Sequence, residues 1–272
     1  MKQLIVGTPL GSLALDIRDK YRIFKMALTK IESIGTLANN QIATTLVTHL
    51  CASNKTFVDV GAHIGSVLSE VHHYDNSIKI IAVEAAPDKS AELKRKFPFL
   101  TVYDCAVGET EGTVILYVNP RQSGYSSLGK SDKVGGEDAI PIDVSIHRLD
   151  NIISVNDIDV IKVDVVGAEL GVLRGSKEII ARNRPVINFE SGHSVDDGLG
   201  YSKEAMWDFF SEIDYEIYLP NRVAHGGHGL SKEEYIGAHV YPRLTTNFFA
   251  IPVGRREDIK DRARKIMGVK TE

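Results

Sequence analysis

The sequence predicts an α/β protein built on a doubly wound, mostly parallel, Rossmann-like sheet. Two observations carry this. From Lys55 onward, short β-branched runs alternate with apolar-periodic segments of about ten residues, the signature of strands joined by crossover helices. The residues just after those runs near 61, 84, 104, 164 and 190 are Gly61, Glu84, Asp104, Asp164 and Glu190. In an open α/β sheet, ligands bind beyond the carboxyl ends of the strands, so these tips are where chemistry is expected.

Seven strands are read in order. Thr56–Val60 ends in Gly61 and leads into a helix over Gly65–His73, with Val67, Leu68 and Val71 on one side. Lys79–Val83 is the second strand, and Pro87–Phe97 the next helix, with proline near its first turn. Lys94, Arg95 and Lys96 suit that helix's C-terminal dipole, rather than a nucleic-acid surface. Thr101–Tyr103 is the third strand and Asp159–Val163 the fourth, followed by helices over Ala168–Leu173 and up to Arg182. Pro185–Phe189, Tyr215–Leu219 and Asn247–Val253 complete the set, with a helix over Lys203–Ile213. Gly112–Val118 and Ile140–Ile146 interrupt the pattern. They read as an inserted β-hairpin around a Gly/Ser-rich tip (Ser123–Gly136) that is mobile or faces the substrate. Residues 220–246 read as a long connection of the kind that forms lids or binding loops.

The first 50 residues read as a mostly helical extension, separate from a domain over 51–272. Leu4–Ile17 is expected to hold two short strands around Pro9–Gly11, with helices over Lys20–Thr29 and Gln41–Leu50. The apolar run Leu4–Leu15 is too short and too interrupted for a membrane span, and no secretory pattern is visible. A chain of 272 residues can bury one sizeable core. Its net charge of −4 disfavours nucleic acid as a partner. Two cysteines, Cys51 and Cys105, without metal-like spacing fit a reducing, cytoplasmic setting.

The strongest local signal is Phe57–Val58–Asp59–Val60–Gly61–Ala62–His63–Ile64–Gly65, a strand, an acid and a glycine turn opening a helix. Gly61 permits the sharp turn, and Gly65 a close approach of helix, strand and ligand. A dinucleotide site would place glycine where His63 stands, and Asp59 would repel a pyrophosphate. Asp59 suits a cationic or polar ligand, such as the amino-acid end of S-adenosylmethionine. Glu84 lies 19 residues beyond Gly65, where an acid can accept hydrogen bonds from both ribose hydroxyls of an adenosine. In Asp104–Cys105–Ala106, either the carboxylate or a backbone group could meet the adenine amino group. Asp164 stands at the mouth of the fourth strand, and Glu169 could complement the dipole of the helix behind it.

Together these stretches, with Arg148–Leu149–Asp150, Asp159–Val160–Ile161–Lys162–Val163–Asp164, Gly167–Ala168–Glu169, Val172–Leu173–Arg174–Gly175, Arg184–Pro185 and Ser126–Ser127–Leu128, resemble the FkbM-type family of S-adenosylmethionine-dependent methyltransferases. The resemblance runs from about Phe57 to Glu190 and continues weakly to Asn247–Pro252. It implies a class I methyltransferase fold whose last strand is antiparallel, and O-methylation of a sugar, glycan or secondary-metabolite hydroxyl. The cofactor site it implies takes in Asp59, Gly61, Ala62, His63, Gly65, Glu84, Ala85, Asp104, Cys105, Ala106 and Asp164. The family commonly has an acid between Asp164 and Gly167, where this chain has Val166.

Methyl transfer to a hydroxyl needs alignment and removal of the hydroxyl proton, for which a general base adds ~10²–10⁴-fold. Candidates at the strand mouths are Asp164, Glu190 and His193. No metal is expected: Asp164 with Glu190 or His193 forms no compact ligand motif, and His225, His228 and His239 lie in a glycine-rich stretch without zinc-like spacing. The acceptor is expected to be a small molecule or glycan, shaped by the hairpin, the extension and the 220–246 connection. The rival readings are a non-catalytic module that binds S-adenosylmethionine or a nucleotide, which Val166 favours, and an NAD-linked oxidoreductase, which the missing glycine disfavours.

Overall fold

The computed structural model describes residues 9–119, 126–129, 139–192, 199 and 201–270. Helices α1 (Pro9–Thr29) and α2 (Ile34–His49) precede β1 (Thr56–Val60), α3 (Ser66–Tyr74), β2 (Lys79–Val83), α4 (Pro87–Lys96) and β3 (Thr101–Tyr103). Then come β4 (Ala106–Val107), β5 (Gly112–Val118), β6 (Ile140–His147), α5 (Leu149–Ile152) and β7 (Ile158–Val163). The chain closes with α6 (Glu169–Arg174), α7 (Lys177–Asn183), β8 (Val186–Glu190), α8 (Lys203–Glu212), β9 (Tyr215–Tyr218), α9 (Lys232–Gly237), β10 (Asn247–Pro252) and α10 (Arg256–Met267).

The main sheet has seven strands in the order β3-β2-β1-β7-β8-β10-β9. The first five are parallel, and β10 runs antiparallel between β8 and β9. This is the doubly wound, seven-stranded fold with an antiparallel last strand that the sequence predicts. The central strands read as continuous apolar runs because helices cover both faces. Val58, Val60, Ile161 and Val163 pack on one side of the sheet, and Phe57, Ile80, Ala82 and Val160 on the other.

Three features differ from expectation. Pro9–Ile17 is the start of one long helix rather than a pair of strands, and residues 1–8 lie outside the described ones. Pro9 and Gly11 fall in the helix's first turn, where a missing N–H costs nothing, so they do not break it. The inserted hairpin is part of a separate three-stranded sheet, β4-β6-β5, in which Ala106–Val107 runs parallel to the end of β6. A two-residue strand leaves no periodicity to read. The tip of the insertion, 120–125 and 130–138, lies outside the described residues. The 220–246 connection is built around α9, whose start carries a reciprocal capping box between Ser231 and Glu234.

Asp159 ties the lower end of the sheet to both termini of the domain. It accepts from the Ala52 backbone N–H (2.7 Å), and pairs with Arg255 (2.6 Å) and Arg262 (2.7 Å) of the C-terminal segment. Burial works against its charge, but these partners hold its carboxyl below the usual range. Among the described residues no helix is long and apolar enough to cross a membrane.

Gly175 ends α6 where the chain passes the backbone of Gly108: a Cβ there would lie 2.0 Å from the Gly108 carbonyl oxygen. Gly175→Ala is therefore expected to destabilise the fold by about 1–3 kcal/mol through overpacking, read as a lowered midpoint in urea denaturation with an unchanged slope.

Candidate functional site

The strand order reverses direction between β1 and β7, since β2 and β3 extend to one side and β8 to the other. At that switch point the two strand tips are held against each other. Asp164 N–H donates to the Val60 carbonyl (3.0 Å), and Gly61 N–H to the Val83 carbonyl (2.9 Å). Gly61 has φ of 87°, and a Cβ on it would stand 2.0 Å from the Asp164 carbonyl oxygen. Only glycine fits this crossing. Gly65 (φ 76°) has a different role: its missing Cβ makes room for Leu93 and Phe97 of α4, each 2.7 Å from where that atom would be.

A cavity of about 260 Å³ opens over the switch point. Of the predicted cofactor residues, Gly61, His63, Glu84, Ala85, Cys105, Ala106 and Asp164 line it. Asp59, Ala62, Gly65 and Asp104 do not. Asp59 is buried beneath the cavity, Ala62 packs in the core, and Asp104 is exposed and 3.8 Å from Lys94. The roof comes from the inserted sheet: Leu116 with Ser126, Ser127 and Leu128. Ser127 pairs with Tyr117 backbone to backbone, and its hydroxyl donates to the Val166 carbonyl (3.0 Å), tying the roof to the loop after β7. The Ser126–Leu128 stretch thus belongs to the site wall.

Glu84 is buried at the cavity edge, and each oxygen accepts a backbone N–H, from His63 (2.7 Å) and Ala86 (2.8 Å). These bonds fix the carboxylate while leaving each oxygen a further lone pair toward the cavity. Burial pushes its pKa up against the pull of the two N–H groups. His63 adopts φ of 49°, which turns its N–H toward Glu84. Burial, seconded by Lys89, lowers the His63 pKa, so the ring is neutral at pH 7.

Lys162 was part of the sequence motif but was given no role by sequence reasoning. Its ammonium is buried between two carboxylates, 3.2 Å from Asp59 Oδ1 and 3.1 Å from Asp164 Oδ2. Desolvation works against its charge, but Asp164 and Asp59 override that and hold its pKa above the ordinary lysine range. Glu190, at the tip of the neighbouring β8, hydrogen-bonds Asp164. Burial and the adjacent Asp164 charge push Glu190 up to about 9, so this pair shares one proton at neutral pH. Asp164 keeps its charge: despite desolvation, Lys162 and the Glu190 bond hold it below the usual carboxylate range. Burial raises the Asp59 carboxyl against the pull of Lys162, so the charge facing the cavity is that of Asp164. The Asp164 side chain is 40% exposed, so that charge reaches the cavity.

Behind Asp164, Val166 and Gly167 both have positive φ, 45° and 87°. A β-branched residue at positive φ is strained, and Val166 is held there at the cavity wall. Glu169, fully enclosed at the start of α6, accepts the Gly167 N–H (3.2 Å), and burial raises it to about 7. It caps the loop rather than lining the cavity.

His193 lies outside the described residues. Next to it in sequence, Ser191 is buried in a set that sequence reasoning missed. Tyr235 O–H donates to Ser191 Oγ (2.9 Å), Ser191 Oγ lies 2.8 Å from His239 Nε2, and His239 Nδ1 lies 2.8 Å from the Tyr235 carbonyl. Because a carbonyl can only accept, Nδ1 carries the proton and Nε2 accepts from Ser191. His239 is therefore bound within α9 and β8 contacts, apart from His225 and His228. No described set of His, Cys, Asp and Glu has the arrangement of a metal centre.

Two outcomes follow from the carboxylate cluster. Lys162→Met leaves Asp59 buried without its cation, and should lower stability by about 3 kcal/mol; Asp59→Asn in the same chain should restore part of it, as read by urea denaturation. Glu190 is neutral when folded but ionises near ~4.3 when unfolded, so the folded state holds the extra proton between these values. Stability should therefore fall as pH rises from about 4.5 to about 9, and Glu190→Gln should flatten that slope in melts across the range.

Comparison with known proteins places this chain in a family. The family model described as Methyltransferase FkbM domain matches residues 59–217. Methyltransferase sdnD of Sordaria araneosa is 28% identical over 162 residues, covering 46% of this chain and 62% of that protein. Among solved structures, methyltransferase FkbM from Methylobacillus flagellatus is 18% identical, with a TM-score of 0.44, over 72% of this chain and 43% of that one. The precorrin-6y C5,15-methyltransferase of Geobacter metallireducens is 14% identical, with a TM-score of 0.38, over 65% of this chain and 72% of that one. The chain thus spans less than two thirds of the length of the first two relatives. The family match covers more than half of the 272 residues, from Asp59 in β1 to Ile217 in β9, and the chain belongs to the family of FkbM-domain methyltransferases.

Proposed function

We propose that this chain is an S-adenosylmethionine-dependent methyltransferase that methylates a hydroxyl of a small molecule or glycan. The observation that carries the reading is the cavity over the β1/β7 switch point, with Glu84 fixed at one edge and the ionised Asp164 at the other. The residues present fit the cofactor. Glu84 offers two oriented acceptors for a ribose diol, and Cys105, Ala106, Val107 and Leu116 give the cavity an apolar wall suited to an adenine. The ionised Asp164 at the rim complements a cation that carries a sulfonium and an ammonium. In this reading Asp59 acts from below, through Lys162, rather than by touching the ligand. This reading leaves Asp104, exposed and 3.8 Å from Lys94, out of the contact set.

When bound, the cofactor supplies an electrophilic methyl group on a positively charged sulfur. The chain's own part is to orient an acceptor oxygen and take up its proton. Asp164 is the assigned acceptor of that hydrogen bond, because it is ionised and reaches the cavity. Its depressed pKa makes it a weak base, so alignment contributes more than proton abstraction. Glu190 already holds a proton and donates to Asp164, which orients that carboxylate; it does not serve as the base in this protonation state. The acceptor side is assigned to the inserted sheet around Ser126–Leu128, together with the extension and the 220–246 connection. Asn39 and Asn40 of α2 hold Leu244, Thr245 and Thr246 by hydrogen bonds, which links the last two.

Titration calorimetry with S-adenosylhomocysteine tests the cofactor assignment: micromolar binding is expected, weakened at least ~tenfold by Glu84→Ala, since two charge-assisted bonds are lost. Binding of NAD in its place would overturn the reading. Transfer of labelled methyl from S-adenosylmethionine to hydroxyl-bearing acceptors, slowed by Asp164→Asn, separates an enzyme from the rival reading of a module that only binds.

A further inference from the structure

We infer that α1 is a membrane-surface helix that docks the protein on anionic lipid. Along and just beyond it, Ile17, Tyr21, Phe24, Leu28 and Ile31 are 58–72% exposed. Their spacing of four, three, four and three residues places them in one ridge along the helix. Ile23 and Met26, on the other side of the helix, are half-buried. The ridge does not stop at the helix end. Tyr241 O–H donates to Glu32 (3.0 Å), and the Thr36 hydroxyl donates to the Arg243 carbonyl, which brings the 240–244 segment alongside. There Val240, Tyr241 and Leu244 are 64%, 70% and 45% exposed. Two separate parts of the chain thus present one apolar surface to solvent.

Charge decides what covers it. Lys20, Arg22, Lys25 and Lys30 are exposed, and residues 9–32 hold five basic residues against three acids (Asp16, Asp19 and Glu32), although the whole chain carries −4. By helical geometry Lys20 flanks the ridge on one side and Lys25 on the other. A second copy packed along the same seam would bring these like charges together, which disfavours self-pairing. A surface of anionic headgroups meets both demands, because apolar side chains enter the acyl boundary while lysine and arginine reach up to phosphate. A helix of 21 residues lying flat would present the whole ridge at once.

The test is co-sedimentation of the full chain with phosphatidylcholine vesicles, with and without about one third phosphatidylserine, at physiological salt. The expected result is at least ~tenfold more bound protein on the anionic vesicles, falling as salt is raised. Phe24→Glu with Leu28→Glu should abolish binding by removing the ridge. Lys20→Glu with Lys25→Glu should abolish it with the ridge intact, and circular dichroism melts of both variants should match the parent. Equal binding to neutral and anionic vesicles would overturn the proposal. So would a parent protein that stays in the supernatant, whether monomeric or as a dimer that Phe24→Glu dissociates in analytical ultracentrifugation.

Discussion

The contact on which the site depends is the crossing of Gly61 over the backbone of Asp164. Two parallel strands that diverge at their tips would leave a cleft. Here the absence of one Cβ lets the tips stay in contact at the point where the strand order reverses. The groups on the floor of the cavity take their positions around that closure. His63 turns its N–H onto Glu84, and Asp164 is carried to the rim above Lys162.

Electrostatics then builds on geometry. Lys162 is enclosed by the sheet, so its charge persists only because Asp59 and Asp164 flank it. The same arrangement leaves Glu190 beside a carboxylate that stays ionised, and Glu190 responds by holding its proton. The buried cation thereby steadies the Asp164 charge, and burial together with that charge keeps the proton on Glu190. The net result is a negative rim at a cavity whose remaining wall is largely apolar, supplied by the main-sheet strand tips and roofed by the inserted sheet.

The insertion is more than a decoration of the α/β core. Ala86, Ala106, Leu116, Val144 and Ile146 form a small core of their own, which seats the three-stranded sheet against the strand tips. From it Ser127 reaches the loop after β7 and bonds the carbonyl of Val166, the residue with the least favourable backbone in that loop. The roof thus holds in place a conformation that valine does not favour on its own.

Much of this was legible in the residue order. The alternation of apolar runs and helical segments, the glycine turn after β1, and the acids at successive tips depend on local periodicity and on backbone freedom, which a sequence displays directly. So most of the strands, and the Gly61, Glu84 and Asp164 positions, could be read without coordinates. What lay beyond reach depended on partners distant in the chain. That Asp59 lies against Lys162, Glu190 beside Asp164, and Gly65 against Leu93 and Phe97 follows from which strands and helices lie side by side. Ser191 and His239 are 48 residues apart, and nothing local to either announces their bond. The sequence by itself determined the fold class and the end of the sheet where the site lies, because periodicity and turn chemistry are local. Only the tertiary structure decided charge states and partners, because burial and pairing are properties of the packed chain.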